Sequence, residues 1–373
     1  MRIVHFSDTH LGFQTYRAID PATGLNQREA DVYDAFRQAI DIILELKPDA
    51  ALHSGDLFNS VRPTNQALTV AFEQLRRLGE AGIPLVVISG NHSLPRVRGT
   101  ASVFRLFDLP EFPLIHPVFR SKYETVQLGE LMVHAVPQCQ TDEDLHAQLE
   151  LAKPDPASPY NILMLHAAVA GVPEFSMGEF SEQVVPEKYL RPDYDYIALG
   201  HYHRKTGVRP NAYYAGATER LSFGEVGQEK GILEIDLATK QIAWHQLKLR
   251  PMRDLTTINA AGLEADAIQA AIEAAVTDSA GSIARLSIDN ISPEVQNALD
   301  FNRLKDLTKQ ATHIDIRYNR ADETTTEISG PAAIGALNEE LRDWLRGRPA
   351  GKDSDHTLQL GLEYLDRAAQ ERS

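Results

Sequence analysis

Five short segments of this sequence place aspartate, asparagine or histidine at the end of an apolar run. They are SDTH (7–10), GD (55–56), GNH (90–92), the last residue of NILMLH (161–166) and GHYH (200–203). Asp8 and His10 lie two positions apart, as do His201 and His203, so in extended backbone each pair points to one side. Imidazole nitrogen with carboxylate and amide oxygen, without thiolate, suits manganese, iron or zinc. The segments therefore predict a metal centre.

Seven side chains are candidate ligands. This number is larger than we expect a single ion to bind. They are Asp8, His10, Asp56, Asn91, His166, His201 and His203. Two ions that share a bridging carboxylate would use all seven, and we expect Asp56 to be the bridge because its strand should lie between two others. Two ions about 3.5–4 Å apart can activate water and stabilise the oxygens of an in-line displacement at phosphorus. His5, His53 and His134 lie within strands and are interpreted as structural.

Hydrophobic periodicity predicts the elements that position these side chains. Apolar strands are expected in RIVHFS, DAALHS, PLVVIS, LMVHAV, NILMLH and YDYIALG. Residues 31–46, and a segment that Thr64 can cap, carry apolar side chains at helical spacing. This alternation predicts an α/β fold with a buried, largely parallel sheet that presents functional groups at its strand ends. The short strands after Gly200 predict a second sheet packed on the first.

The pattern changes near residue 250 and again past residue 320. Residues 254–320 alternate short strands with helices, which predicts a small α+β unit without a catalytic cluster. The polar remainder has two helical stretches separated by RGRPAGKDS. We predict three domains, at residues 1–250, 251–325 and 326–373.

Composition limits the class of protein. The 373 residues carry a net charge of −15, which argues against a broad DNA-coating surface but not against a basic rim around a cleft. Cys139 is the single cysteine, so the chain cannot form an internal disulfide. The apolar runs are too short to span a bilayer, and the N-terminus lacks the features of a signal peptide. We expect a cytoplasmic protein that does not enter membranes.

The order of the five segments resembles that of the calcineurin-like metallophosphoesterase superfamily. The stretches SDTHLG, GDLFNSVRP, GHYHR and above all YAGATERLSFGE (214–225) are similar to those of its SbcD-type DNA double-strand-break repair nucleases. The match covers roughly residues 1–235. It implies a β-sandwich flanked by helices, followed by a small α+β DNA-capping domain and a helical C-terminal tail.

The resemblance also implies roles for individual residues. One metal would be bound by Asp8, His10, Asp56 and His203, and the other by Asp56, Asn91, His166 and His201. His92 would be catalytic rather than a ligand, stabilising charge on the scissile phosphate or protonating the leaving oxygen. The implied reaction is manganese-dependent exo- or endonucleolytic hydrolysis of DNA at its ends. The implied partners are a second copy of the chain and an SMC-like (SbcC-type) coiled-coil ATPase that binds the C-terminal helices.

Two positions depart from the family pattern. Ser93 stands where aspartate is usual, so it can orient His92 by a hydrogen bond but brings no charge. Asn59 stands where the archaeal and eukaryotic members usually carry histidine. Arg62 and Arg204 are candidate DNA contacts.

Two alternatives stay open at this point. One is a metal-bound DNA-end-binding or scaffold subunit with weak nuclease activity, which Ser93 and Asn59 motivate. The other is a small-molecule phosphodiesterase or phosphatase, because the five core segments do not define the substrate. The SFGE stretch and the additional C-terminal domain favour DNA.

Overall fold

The computed structural model describes residues 1–95, 101–171 and 183–320. The elements of the first two ranges are β1 (Arg2–Phe6), α1 (Gln27–Leu46), β2 (Ala50–His53), α2 (Asn65–Glu80), β3 (Leu85–Ile88), β4 (Ile115–Val118), β5 (Glu124–Leu128), β6 (Leu131–Val136), α3 (Asp142–Leu151), β7 (Tyr160–His166) and β8 (Ala168–Val169). Those that follow up to residue 250 are β9 (Val184–Val185), β10 (Tyr196–Gly200), β11 (Thr206–Arg209), β12 (Ala212–Tyr214), β13 (Gly231–Asp236) and β14 (Gln241–Gln246). The predicted strands are therefore present.

Two six-stranded sheets form a sandwich. The first has the order β14-β13-β1-β2-β3-β4, and β1 to β4 are parallel. The second has the order β11-β12-β10-β7-β6-β5, and β6, β7, β10 and β12 are parallel. Side chains of both sheets, such as Leu52, Val86, Ile162 and Met164, share one buried apolar cluster between them. The β-sandwich that the resemblance implied is confirmed.

The division of strands between the sheets differs from the sequence expectation. LMVHAV, NILMLH and YDYIALG were expected to continue the first sheet, but they form the centre of the second. Conversely, β13 and β14 return to the edge of the first sheet, where β13 pairs antiparallel with β1. Hydrophobic patterning indicates that a strand is buried, but it does not indicate which strand lies beside it.

Helices cover the outer face of each sheet. Val32, Phe36 and Ile40 of α1 lie in a cluster with Val4 of β1 and Leu75 of α2. The helix begins at Gln27, four residues before the predicted start, because the Asn26 side chain accepts hydrogen bonds from the first turn. Helix α2 begins after Thr64, whose side chain accepts a hydrogen bond from the Ala67 N–H as predicted. Helix α3 packs against the second sheet.

A third, four-stranded sheet follows the sandwich. Its elements are β15 (Met252–Asp254), β16 (Ile258–Asn259), α4 (Ala265–Val276), β17 (Ile283–Ile291), α5 (Pro293–Asn297), α6 (Phe301–Thr308) and β18 (His313–Arg320). Strand β17 is central, and its side chains form an apolar cluster with α4 and α6. This is the α+β unit that the sequence predicted.

The predicted domain boundaries remain predictions. Residues Met1–Asn319 form one compact unit that contains all three large sheets. The proposed helical tail, 326–373, lies outside the described residues. Within the described ranges, no helix has both the length and the apolar character needed to cross a bilayer.

Candidate metal centre

The five predicted segments meet at one end of the sandwich. Asp8, Asp56 and Asn91 follow the parallel strands β1, β2 and β3 of the first sheet. His166 ends β7 and His201 follows β10, which are parallel neighbours in the second sheet. Because the carboxyl ends of these strands lie together at one end of the sandwich, residues far apart in sequence come within contact distance.

The first group of donor atoms belongs to Asp8, His10 and His203. Their ligand atoms all lie within 4.8 Å of one another. The Nε2 atoms of His10 and His203 face each other at 3.2 Å. Asp8 and His10 are buried, so these donors are largely withdrawn from water.

The second group belongs to Asp8, Asp56 and His166. His166 Nε2 lies 3.1 Å from Asp56 Oδ2 and 3.0 Å from Asn91 Oδ1. Asp56 also belongs to a third group, with His10 and His92, so its carboxylate lies close to a donor of the first group as well as to those of the second. That Asp56 bridges two ions remains a prediction. His201 lies next to this group, its ring centroid 5.4 Å from that of His166.

The spacing of these donors fits divalent cations. Two donors bound to one ion at about 2.1 Å lie roughly 3 Å apart, which matches the His10–His203 and His166–Asn91 separations of 3.2 and 3.0 Å. The buried Nδ1 of His10 has no hydrogen-bond partner among the described residues, so the ring is not explained by hydrogen bonding alone. The mixture of carboxylate, amide and imidazole is the donor chemistry of the predicted metal types.

The backbone at the site is strained. Asp8, His10, Asp56 and His201 have φ values of 51°, 45°, 53° and 104°, in the left-handed region that non-glycine residues rarely adopt. Each such residue costs on the order of 1–3 kcal/mol and persists only where the surrounding structure enforces it. Four strained residues at the same strand ends are typical of a functional site.

Two glycines allow the loops to approach one another. A Cβ on Gly90 would lie 2.3 Å from Asp56 Oδ1, and a Cβ on Gly200 would lie 1.9 Å from the Ser54 carbonyl oxygen. Neither position has room for a side chain. The GN and GH pairs therefore reflect close packing between the loops as well as ligand chemistry.

Neighbouring groups hold the ligands in place. His166 Nδ1 donates to the Ser54 carbonyl at 2.8 Å, which leaves Nε2 as the nitrogen that could bind a metal. Asp8 accepts from the Ser7 hydroxyl at 2.5 Å and from the His201 N–H at 3.1 Å. These hydrogen bonds orient the candidate ligands.

The candidate-ligand histidines differ in the direction in which their pKa values are shifted. Burial lowers the pKa of His10 well below its ordinary value and lowers the pKa of His201 to about 3, so both rings are neutral at neutral pH. Burial also opposes protonation of His166, but the Asp56 carboxylate outweighs it and raises the pKa of His166 to about 9. Burial raises the pKa of Asp8. A cation in the second group would replace the proton that His166 shares with Asp56.

His92 lies at the rim of the site, where it is partly exposed. Its backbone N–H donates to Asp56 Oδ1 at 3.0 Å, and its ring centroid lies 4.8 Å from that of His10. Its Nδ1 lies 2.9 Å from the backbone carbonyl oxygen of Asn59. Because a carbonyl only accepts, Nδ1 carries the hydrogen in this contact.

The sequence profile of the calcineurin-like phosphoesterase family matches residues 1–205, which is more than half of the chain. This chain belongs to the calcineurin-like phosphoesterase family. The fold and the donor groups described above are those of a family member whose site binds divalent metal ions.

The relatives include several archaeal proteins named "DNA double-strand break repair protein Mre11". The one from Sulfurisphaera tokodaii is 37% identical over 205 residues, covering 55% of this chain and 49% of the relative. The one from Methanocaldococcus jannaschii is 32% identical over 231 residues, covering 60% and 58%. The one from Sulfolobus acidocaldarius is 26% identical over 368 residues, covering 93% and 91%. The alignment with the first of these spans about half of that protein's length. The predicted resemblance to double-strand-break repair nucleases is confirmed.

The two residues that depart from the family pattern differ in their relation to His92. Ser93 is buried, and its hydroxyl has no hydrogen-bond partner among the described residues, so the hydrogen bond to the His92 ring that a serine could make is not formed. The backbone carbonyl of Asn59 contacts that ring instead. Since this contact uses the main chain, it does not depend on the type of side chain at position 59. Arg62 and Arg204 are both exposed.

Sequence reasoning missed two buried charged residues behind His203. Glu225 Oε1 lies 3.0 Å from His203 Nδ1, and Lys230 Nζ lies 2.5 Å from Glu225 Oε2. Glu225 ends the SFGE stretch that carries the family resemblance, and that position was the available signal. Lys230 offered none, because a lysine before a strand is ordinarily exposed.

The histidines interpreted as structural make contacts within the sandwich. His5 links Tyr196 of the second sheet to Ser54 after β2, at 2.9 and 2.7 Å. His53 contacts the Thr9 hydroxyl at 3.1 Å, and His134 contacts Asn161. Burial lowers the pKa of His5 to about 3. These rings support the strand ends and lie outside the donor groups found among the described residues.

Proposed function

We propose that this protein is a two-metal, manganese-dependent nuclease that hydrolyses phosphodiester bonds at DNA ends. The observation that carries the proposal is the position of Asp56. Its carboxylate belongs to two donor groups and also accepts the backbone N–H of His92. One side chain thereby ties the metal centre to the residue expected to act on the phosphate.

The ligand sets follow from the donor groups and the family resemblance. Asp8, His10, Asp56 and His203 would hold one ion, and Asp56, Asn91, His166 and His201 would hold the other. Ions bound there would supply Lewis acidity and lower the pKa of water, as in other two-metal phosphoesterases. The protein contributes neutral imidazoles at His10 and His201, whose pKa values burial has lowered, and carboxylates that are already in place.

His92 acts on the phosphate rather than on the metal. The Asn59 carbonyl holds its Nδ1, and Asp56 holds its backbone N–H, so the imidazole is fixed at the open side of the site. From there it stabilises charge on the scissile phosphate or protonates the leaving oxygen. The ring is partly exposed, so a substrate can reach it.

The choice of substrate and partners rests on the relatives. Their name connects them with double-strand-break repair, and the α+β unit at β15–β18 stands where the SbcD-type resemblance implies a DNA-capping domain. We extend this to DNA as substrate, a homodimer, an SMC-like coiled-coil ATPase bound by residues 326–373, and action in the cytoplasm. Arg62 and Arg204 are exposed, and we assign them as contacts to DNA phosphates.

The test is digestion of linear, hairpin and circular DNA with Mn²⁺, with and without the ATPase subunit. We expect cleavage of linear and hairpin DNA that EDTA abolishes and that Asp56→Asn abolishes. Asp49→Asn is the matched control, because Asp49 lies exposed at the opposite end of β2. Hydrolysis of bis-p-nitrophenyl phosphate without cleavage of any DNA would identify a small-molecule phosphodiesterase instead.

A weak nuclease that mainly binds DNA ends is the second candidate. Ser93 supports it, because its hydroxyl has no partner among the described residues and gives no charge to His92. Reverting the position with Ser93→Asp separates the two. A rate gain of tenfold or more favours the weak nuclease, whereas robust wild-type cleavage without gain contradicts it.

A further inference from the structure

A buried ion pair lies directly behind the proposed metal ligand His203. The side chains of Lys230 and Glu225 are 1% and 9% exposed, and their Nζ and Oε2 atoms lie 2.5 Å apart. Buried ion pairs are costly to desolvate and contribute little net stability, so stability alone does not explain this one. Both residues of the pair also contact His203, which indicates a role in positioning that ring.

Glu225 determines which nitrogen of His203 faces the metal centre. Glu225 Oε1 lies 3.0 Å from His203 Nδ1, and a carboxylate accepts hydrogen bonds, so Nδ1 carries the hydrogen. In the neutral ring the opposite nitrogen, Nε2, carries the lone pair, and it faces His10 Nε2 at 3.2 Å. This contact defines both the tautomer and the orientation of the ring.

Lys230 also contacts His203, through the backbone carbonyl of the histidine. Besides Glu225, its ammonium donates to the His203 carbonyl oxygen at 2.6 Å. Lys230 directly precedes β13, which pairs with β1 and so belongs to the first sheet, whereas His203 follows β10 of the second. The ammonium therefore joins the two sheets at the metal centre.

We propose that Glu225 and Lys230 are positioning residues for His203, and that they set the metal affinity of one site of the pair. The other site has a different support, since His166 Nδ1 donates to the neutral Ser54 carbonyl. Removing the carboxylate should therefore weaken one ion selectively. This inference rests on the metal centre of the proposed function and extends it to residues outside the ligand set.

The first experiment is a Mn²⁺ titration of the full-length protein by isothermal calorimetry, with free Mn²⁺ followed by electron paramagnetic resonance. Loss of such a supporting contact typically weakens metal binding 10–100-fold. In Glu225→Gln we expect one of two Mn²⁺ ions to bind about 10–100-fold more weakly and the other to keep its affinity within about threefold. Nuclease activity should recover at higher Mn²⁺.

The chain offers a matched control. Glu234 forms a similar carboxylate–histidine pair with His245 on β13 and β14, with Oε2 and Nε2 2.9 Å apart. Glu234→Gln should leave both affinities unchanged. Unchanged binding of both ions by Glu225→Gln, or equal weakening of both, would overturn the proposal.

A second measurement needs no variant at Glu225 and therefore does not depend on its folding. Nitrogen-15 NMR of the zinc-loaded wild type reports which ring nitrogen carries hydrogen, with His203 assigned by difference from His203→Asn. We expect Nδ1–H, and coordination through Nδ1 would contradict the proposal. A wild type that binds two Mn²⁺ ions but cuts no DNA would refute the proposed function alone, because both readouts here are metal binding.

Discussion

At the scale of single residues, Asp56 and His92 are hydrogen-bonded to each other but are expected to have different roles. The Asp56 carboxylate belongs to two donor groups, whereas His92 is anchored through its backbone N–H and through Nδ1. In the proposed function, the Asp56 carboxylate bridges the ions and the His92 imidazole acts on the substrate. Substitutions at the two positions should therefore separate metal binding from catalysis.

We expect Asp56→Asn to lose both metal binding and nuclease activity. His92→Ala should keep both ions, while its rate falls by about 10²–10⁴-fold, the usual range for loss of a general acid or base. Calorimetric Mn²⁺ titration and single-turnover cleavage measure the two properties. Loss of metal from His92→Ala would show that His92 is a ligand and that its assigned role is wrong.

At the scale of elements, the strand-end loops are packed too closely for side chains. A Cβ on Gly90 would lie 2.3 Å from Asp56 Oδ1 and 2.7 Å from His166 Nε2. Beneath these loops, His5 joins the two sheets through Tyr196 and Ser54. Both features make the geometry of the metal centre depend on how the elements meet.

Gly90→Ala should displace the Asp56 carboxylate and weaken Mn²⁺ binding at least tenfold. Gly79→Ala is the control, since Gly79 lies in α2 and a methyl group added there would have nothing within 4 Å. That change should leave metal binding unaltered and stabilise the helix by about 0.5–1 kcal/mol. Calorimetry and urea denaturation measure the two effects, and wild-type Mn²⁺ affinity in Gly90→Ala would contradict the packing argument.

Buried His5 predicts a loss of stability in mild acid. Burial lowers its folded-state pKa from 6.5 to about 3, so its stabilising contribution is present above pH 6.5 and declines as the pH falls toward 3, while the unfolded chain takes up the proton. Between pH 7.5 and 5, this one ring should remove roughly 2 kcal/mol from the free energy of unfolding. Urea denaturation in EDTA should show a flatter pH dependence for His5→Asn than for the wild type. An equal pH dependence of the unfolding free energy in the two proteins would contradict a lowered pKa for His5.

At the scale of the whole molecule, a charged network ties the sandwich to the third sheet. Asp31 of α1 accepts two hydrogen bonds from Arg250, each 2.9 Å, and one from Arg28 at 2.7 Å. Arg250 also donates to Gly281 and Thr312 of the α+β unit, each at 3.0 Å. Stacking of Tyr16 on His313, with centroids 3.8 Å apart, adds a second contact.

Asp31→Asn should lower the free energy of unfolding by about 3 kcal/mol, because among the described residues it leaves the buried Arg28 cation with one carboxylate, that of Glu219 at 3.5 Å, and with the neutral Arg220 carbonyl. Asp41→Asn breaks an exposed pair with Arg77 and should cost less than about 1 kcal/mol. Urea denaturation of both variants makes the comparison. Similar losses in the two variants would show that the Asp31 network does not stabilise the junction.

The sequence by itself determined which elements form and which side chains end them. Apolar spacing, the Thr64 cap and the polar residues at strand ends are local properties, so the strands, the helices and all seven candidate ligands were predicted from the chain alone. The tertiary structure decided which sheet each strand joins, and it placed Glu225 and Lys230 behind His203. It also placed the backbone carbonyl of Asn59 in contact with the His92 ring. The sheet assignment and the positions of Glu225 and Lys230 depend on contacts between segments that are distant in sequence. The Asn59 contact uses the main chain, which leaves no signature in residue type. Local sequence patterns could therefore predict none of them.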